Sequence, residues 1–174
     1  MKPFFLTTLR AAMLLTLTML TGCGAWQTTK DTSTDVSRAI FVAKVKQMHL
    51  VIEGRAELNR DERGASLPVA MRVYQLKDAK AFEQATYAQL LHDADRVLKA
   101  DALSHTDIVL APQATITLNT PMADNAQYVG VVAFFRDPSH AAWRLVMPKA
   151  QWKKTDPVTL SVIGNTLERE GDAP

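Results

Sequence analysis

Residues 128–135 read Tyr-Val-Gly-Val-Val-Ala-Phe-Phe, a continuously apolar run rich in β-branched and aromatic side chains. Such a run predicts a central strand covered on both faces. The stretches around it alternate instead. Met48, Leu50 and Ile52 alternate with Gln47, His49 and Val51, and Met71 and Val73 with Arg72 and Tyr74. Ile116 and Leu118 alternate with Thr115 and Thr117, and Val158, Leu160 and Val162 with Thr159 and Ser161. Period two predicts half-buried antiparallel strands. Residues 142–147 place Trp143, Leu145 and Met147 on one face of a further short strand, and residues 104–110 supply another. Turn residues separate the runs, at residues 59–64, Pro112, residues 121–125, Asp137-Pro138, Pro148 and Asp156-Pro157.

One segment departs from period two. Residues 78–92 read as helical, with Asp78 as a cap and Phe82, Tyr87, Leu90 and Leu91 as the buried side. Thr86 with Gln89 makes a capping-box pattern that starts a second short helix at Tyr87. About seven strands and a helical insertion predict a mainly β protein, a two-sheet β-sandwich. A domain of this size buries roughly 68–70% of its unfolded surface, enough to fold without disulfides.

The N-terminus reads as a targeting segment. Lys2 and Arg10 precede an uncharged apolar run over residues 11–20. A helix of that length spans about 15 Å, half a bilayer core, which suits a signal-peptide core and not a permanent anchor. Leu20-Thr21-Gly22-Cys23 follows, and resembles the bacterial lipobox. In that pathway the Cys23 thiol takes a diacylglyceryl group, and cleavage leaves it as the first residue, where an N-acyl chain completes the anchor. More than one acyl chain is needed for stable membrane attachment. By the same resemblance Gly24, in place of an Asp, points to the outer membrane. The expected organisation is a lipoprotein signal peptide at 1–22, the lipidated Cys23 and a flexible tether at 23–39, a sandwich at 40–166 and a frayed C-terminus at 167–174. Residues 24–39 support the tether with four Thr, two Ser and two Asp and no apolar period. Trp26 either rests at the lipid interface or has no role there.

Composition narrows function. The 174 residues are 47% hydrophobic and 22% charged, which supports a packed core. The net charge of +2 comes from the leader, and residues 23–174 hold 18 bases and 18 acids. A neutral domain has no general pull on nucleic acid. Cys23 is the only cysteine, so neither an internal disulfide nor a cysteine-based zinc site can form. His49, His92, His105 and His140 have no metal-ligand spacing between them. Ser104-His105-Thr106-Asp107 has the letters of a triad, but on a strand its side chains alternate and cannot converge. No catalytic residue, metal site or bound cofactor is expected. Phe134, Phe135 and Trp143 fall at core periodicity. Trp152, flanked by Lys149, Lys153 and Lys154, is either an interface anchor or a plug at the end of the sandwich.

Residues 55–67 are long for a hairpin connection. They set Arg55, Arg60 and Arg63 against Glu57, Asp61 and Glu62. Such a loop is either a solvated connection or a partner-binding surface on a rigid scaffold.

Here the sequence resembles a known family. Asn59-x-Asp61-x-x-Gly64-x-Ser66-x-Pro68 followed by Arg72-Val73-Tyr74-Gln75-Leu76-Lys77 is similar to TssJ lipoproteins of type VI secretion. Phe82-x-x-Ala85-Thr86-Tyr87-x-x-Leu90, residues 128–133, Phe135-Arg136-Asp137 and Trp143-Arg144 agree. The family often has Pro where Arg60 stands, and Ser directly before Pro where Leu67 here intervenes. The resemblance implies a transthyretin-like sandwich and a non-enzymatic lipoprotein of the outer membrane, facing the periplasm. It implies docking of the periplasmic C-terminal domain of the inner-membrane protein TssM, and through it TssL. The contact residues it implies are Asn59, Arg60, Asp61, Glu62, Arg63 and Gly64. The competing reading is a lipoprotein that holds a small apolar ligand in a cavity lined by Met71, Phe134 and Trp143. A hydrolase of the envelope is disfavoured by the empty motif search.

Overall fold

The computed structural model describes residues 45–171. The expected signal peptide, Cys23, the tether and residues 40–44 of the expected sandwich lie outside the described residues. The strands are β1 (Gln47–Leu58), β2 (Val69–Leu76), β3 (Ala102–Leu110), β4 (Thr115–Pro121), β5 (Tyr128–Phe134), β6 (Arg144–Pro148), β7 (Val158–Gly164) and β8 (Thr166–Arg169). Three short helices, α1 (Lys80–Gln84), α2 (Tyr87–His92) and α3 (Ala94–Val97), lie between β2 and β3, and α4 (Gln151–Lys154) lies between β6 and β7. Two four-stranded sheets form, ordered β4-β1-β7-β8 and β3-β2-β5-β6. Neighbours pair antiparallel except β1 and β7, which are parallel. This is the mainly β, two-sheet sandwich that the alternating pattern predicts.

The alternation sorts side chains as expected. Met48, Leu50, Ile52, Val158, Leu160 and Val162 of one sheet meet Val69, Met71, Val73, Val129, Val131 and Met147 of the other, all buried. The doubly apolar β5 has its reason on the opposite face. There Val132, Tyr74 and Leu76 lie under Phe82, Ala85, Leu90, Ala94 and Leu98 of the helical insertion, as a second buried cluster. Gly130 is required by this close approach, because a Cβ there would stand 3.0 Å from Leu76 Cδ1 and 3.1 Å from the Phe82 ring. Thr86 and Gln89 form the capping box that starts α2. Asp78 accepts the Lys80 N–H at 2.7 Å.

Three expectations are corrected, and one open alternative is decided. β1 runs on to Leu58, because Leu58 rejoins β7 opposite Gly164 after an irregularity beyond Gly54. The connection is therefore residues 59–68. Leu91 is 40% exposed, since two short helices turn only one side to the sheet and Leu90 takes it. Residues 167–169 are not frayed: Leu167 is buried, faces Val162 across β7 and β8, and donates its N–H to Ala142 O at 2.8 Å. Trp152 lies on α4, buried, with its indole N–H donating to His49 O at 2.9 Å, so it plugs that end of the sandwich.

Candidate functional site

The six loop candidates divide into a frame and a tip. Asn59 is the frame. It is 4% exposed and takes a φ of 47°, in the left-handed region that Asn tolerates better than most residues. Its backbone N–H donates to Gly164 O at 2.9 Å. Its side-chain N–H donates to Pro68 O at 2.9 Å, and its side-chain oxygen accepts the Arg136 N–H at 2.9 Å. One buried residue thus ties together the β1–β2 connection, the β5–β6 connection and the end of β7. Asn59 has almost no surface to offer a partner.

Asp61 shapes the tip. Its Oδ1 accepts the N–H groups of Arg63 at 2.9 Å and Ala65 at 2.8 Å, and its carbonyl accepts the Gly64 N–H at 3.0 Å. Gly64, at φ 80°, takes the left-handed position that closes this turn. Arg60 lies back along the strand and pairs with Glu57 at 2.8 Å. Arg60, Glu62, Arg63 and Gly64 are exposed. The tip therefore offers two cations and an acid on a turn whose backbone is internally bonded.

The adjoining connection after β5 is held as firmly. The Tyr87 hydroxyl donates to Phe135 O at 2.6 Å, and burial pushes its phenol pKa above the usual value. The Tyr87 ring meets Phe134 and Trp143 edge-on, with centroids at 5.9 Å and 5.3 Å. The Arg144 guanidinium lies 4.8 Å over Trp143 and donates to Ala85 O at 2.7 Å. Asp137 accepts the Ser139 N–H at 2.9 Å, and the Ser139 hydrogen bonds hold its carboxyl below the ordinary range. Arg136 and Asp137 are exposed beside the loop. Their adjacency to residues 60–64 depends on the bond from Arg136 to Asn59, which no local sequence signal announces.

The three residues suggested for a ligand cavity do not enclose one together. Met71 belongs to the core between the sheets, while Phe134 faces Tyr87 on the helical side. Met71 and Phe134 both border one open recess, together with Ala70, Arg72, Leu91, Asp107, Ile108 and Val109, but Trp143 does not. Its charged floor is one ion pair, Arg72 with Asp107, which holds the Asp107 carboxyl below the usual carboxylate range. Ser104 to Asp107 lie consecutively on β3, and Asp107 and His105 face Arg72 and Tyr74 across the strand pair. Among the described residues no group of three or more His, Cys, Asp or Glu is placed to hold a metal ion.

Comparison with known proteins bears on this geometry. Residues 46–165 match the profile of the family described as type VI secretion lipoprotein, VasD, EvfM, TssJ, VC_A0113. A chain of a solved type VI membrane complex is 33% identical, with a TM-score of 0.67, covering 72% of this chain and 98% of that one. A chain in a structure of the T6SS protein TssM C-terminal domain from EAEC is 32% identical, with a TM-score of 0.63 and the same coverage, 72% and 98%. The T6SS lipoprotein TssJ1 from Pseudomonas aeruginosa shares the fold at 21% identity and a TM-score of 0.65, covering 74% of this chain and 98% of that one. No curated protein matches in sequence.

Proposed function

Since this chain belongs to the TssJ family of type VI secretion lipoproteins, we propose that it docks the periplasmic C-terminal domain of a TssM-like inner-membrane protein through residues 60–64. On this reading it is anchored in the outer membrane by a diacylglyceryl group and an N-acyl chain on Cys23, faces the periplasm, reaches TssL only through TssM, and performs no catalysis.

The observation that carries the reading is the contrast inside one loop. Asn59 and Asp61 spend their side chains on backbone groups of the loop and of the neighbouring connection at Arg136, while Arg60, Glu62 and Arg63 stand exposed. A preorganised tip loses little conformational freedom on binding. Arg is also enriched at interface hot spots. Direction agrees with the role. β1 begins at Gln47, where the chain arrives from the N-terminal segment, and ends at Leu58, where the loop begins. Twelve extended residues separate those ends by about 40 Å. The loop therefore lies at the end of the sandwich opposite the one where the described chain begins. Mixed charge in the tip favours specific pairing over general attraction.

The test is calorimetry with the partner's periplasmic fragment. Reversing both cations, Arg60→Glu with Arg63→Glu, is expected to weaken binding by at least about tenfold. Unchanged affinity would remove the tip from the interface.

A further inference from the structure

The lysines of the described domain gather toward one end. Lys46 precedes β1, and Lys77 follows the end of β2. These positions share one end of the sandwich, since Lys46 O accepts from Met122 beside Pro121, whose carbonyl accepts from Gln75 near the end of β2. Lys80 opens α1 three residues after Lys77, and Lys99 precedes β3, where Ala100 O accepts from Lys77 Nζ at 3.4 Å. Lys153 and Lys154 lie on α4, where Lys153 shares a recess with Lys46 and the buried Trp152. Lys149 is 2% exposed at the same end, its ammonium donating to Ala123 O at 3.1 Å and Asp124 O at 3.3 Å. The described lysines thus gather toward the end where β1 begins, whereas Arg55, Arg60, Arg63 and Arg136 lie toward the opposite end, at and beyond the end of β1.

We propose that this lysine-bearing end rests on an anionic phospholipid surface and sets the domain upright, with residues 60–64 pointing away from the membrane. The inference rests on attachment through Cys23, from which only twenty-one residues lead to Val45. Residue chemistry supports it. An ammonium on a flexible stem is a strongly hydrated point charge suited to a mobile headgroup layer, whereas a guanidinium suits fixed bidentate partners. The arginines behave accordingly: Arg60 pairs with Glu57, Arg72 with Asp107 and Arg96 with Asp93. The lysine end also carries acids, namely Asp78, Asp101, Asp124 and Asp156, the last bonded to His49 at 2.8 Å. The excess is a few positive charges. Such an excess does little for a protein in free solution, but acts on one already held within a Debye length or two of a charged surface.

The experiment uses the only thiol. Residues 23–174 are coupled through Cys23 to a maleimide lipid in supported bilayers of phosphatidylcholine, with or without about one-third phosphatidylglycerol, and studied by neutron reflectometry. This attachment does not depend on acylation in the cell, so failure of the lipoprotein reading is detected separately, by mass spectrometry of the cellular protein. On the anionic bilayer the gap between headgroups and protein is expected to shrink by roughly one Debye length, about 8 Å at physiological salt. High salt, or Lys46→Glu with Lys154→Glu, should restore the neutral-bilayer profile while leaving affinity for the partner fragment unchanged. Identical profiles on both bilayers would overturn the proposal. So would a double reversal that weakens partner binding and leaves the profile unmoved, which would make this end a protein interface.

Discussion

The side-chain oxygen of Asn59 accepts the backbone N–H of Arg136 at 2.9 Å, joining connections that lie 77 residues apart in the chain. The other arm of the same amide donates to Pro68 O. The exposed tip is thereby fixed to the two sheets at once. Asn59→Ala would leave a buried N–H and a buried carbonyl without partners and would place Ala at a positive φ. The expected cost is about 2–4 kcal/mol by chemical denaturation. Glu62→Ala, three residues on and exposed, should change stability by less than about 0.5 kcal/mol.

Gly130 tests the stacking of the helical insertion on β5. Gly130→Ala would set a methyl group against Leu76 and the Phe82 ring at about 3 Å and should destabilise the fold by roughly 1–3 kcal/mol. Combining it with Phe82→Leu, which vacates part of that space, should cost less than the sum of the two changes. Strict additivity in urea titrations would mean that the two groups do not meet.

The Arg72–Asp107 pair gives a pH signature. The guanidinium hydrogen bond holds Asp107 below its ordinary range. Its folded pKa is thus lower than its unfolded one, so its contribution is present above the unfolded value and lost as pH falls through the folded value. Asp107→Asn should lower stability at neutral pH by no more than about 1 kcal/mol, because Asp107 is largely exposed and screened. The difference between the two proteins should vanish in strong acid. A difference that persisted there would assign the effect to packing.

Cys23→Ser should move the protein from the membrane to the soluble fraction without altering its unfolding midpoint, because the residue stands twenty-two positions before the described domain. Fractionation and intact-mass measurement check it. An unmodified Cys23 in membrane-bound wild-type protein would contradict the anchor.

The sandwich was legible because period two survives wherever one face is wet and disappears in β5, where both faces are dry. The capping box was legible because Thr86 and Gln89 are three residues apart. Where β1 ends was not, since Arg55, Ala56 and Glu57 are all exposed and only Leu58 returns to the core. The β8 pairing was hidden for a similar reason: Leu167 is one buried residue in a charged run. At the candidate site the residue types were readable and their division of labour was not. Asn59 reads as a turn residue with its neighbours, but its partners come from Pro68, Arg136 and Gly164, which only the folded chain assembles.

The central claim is tested most directly by exchanging Arg60–Gly64 for a short Gly-Ser turn while keeping Asn59, and titrating the partner's periplasmic fragment by calorimetry. The Asn59 bonds to Pro68, Arg136 and Gly164 lie outside the exchanged segment. The free energy of unfolding should therefore change by less than about 1 kcal/mol, and binding should disappear. Wild-type affinity in a variant that folds normally would contradict the account.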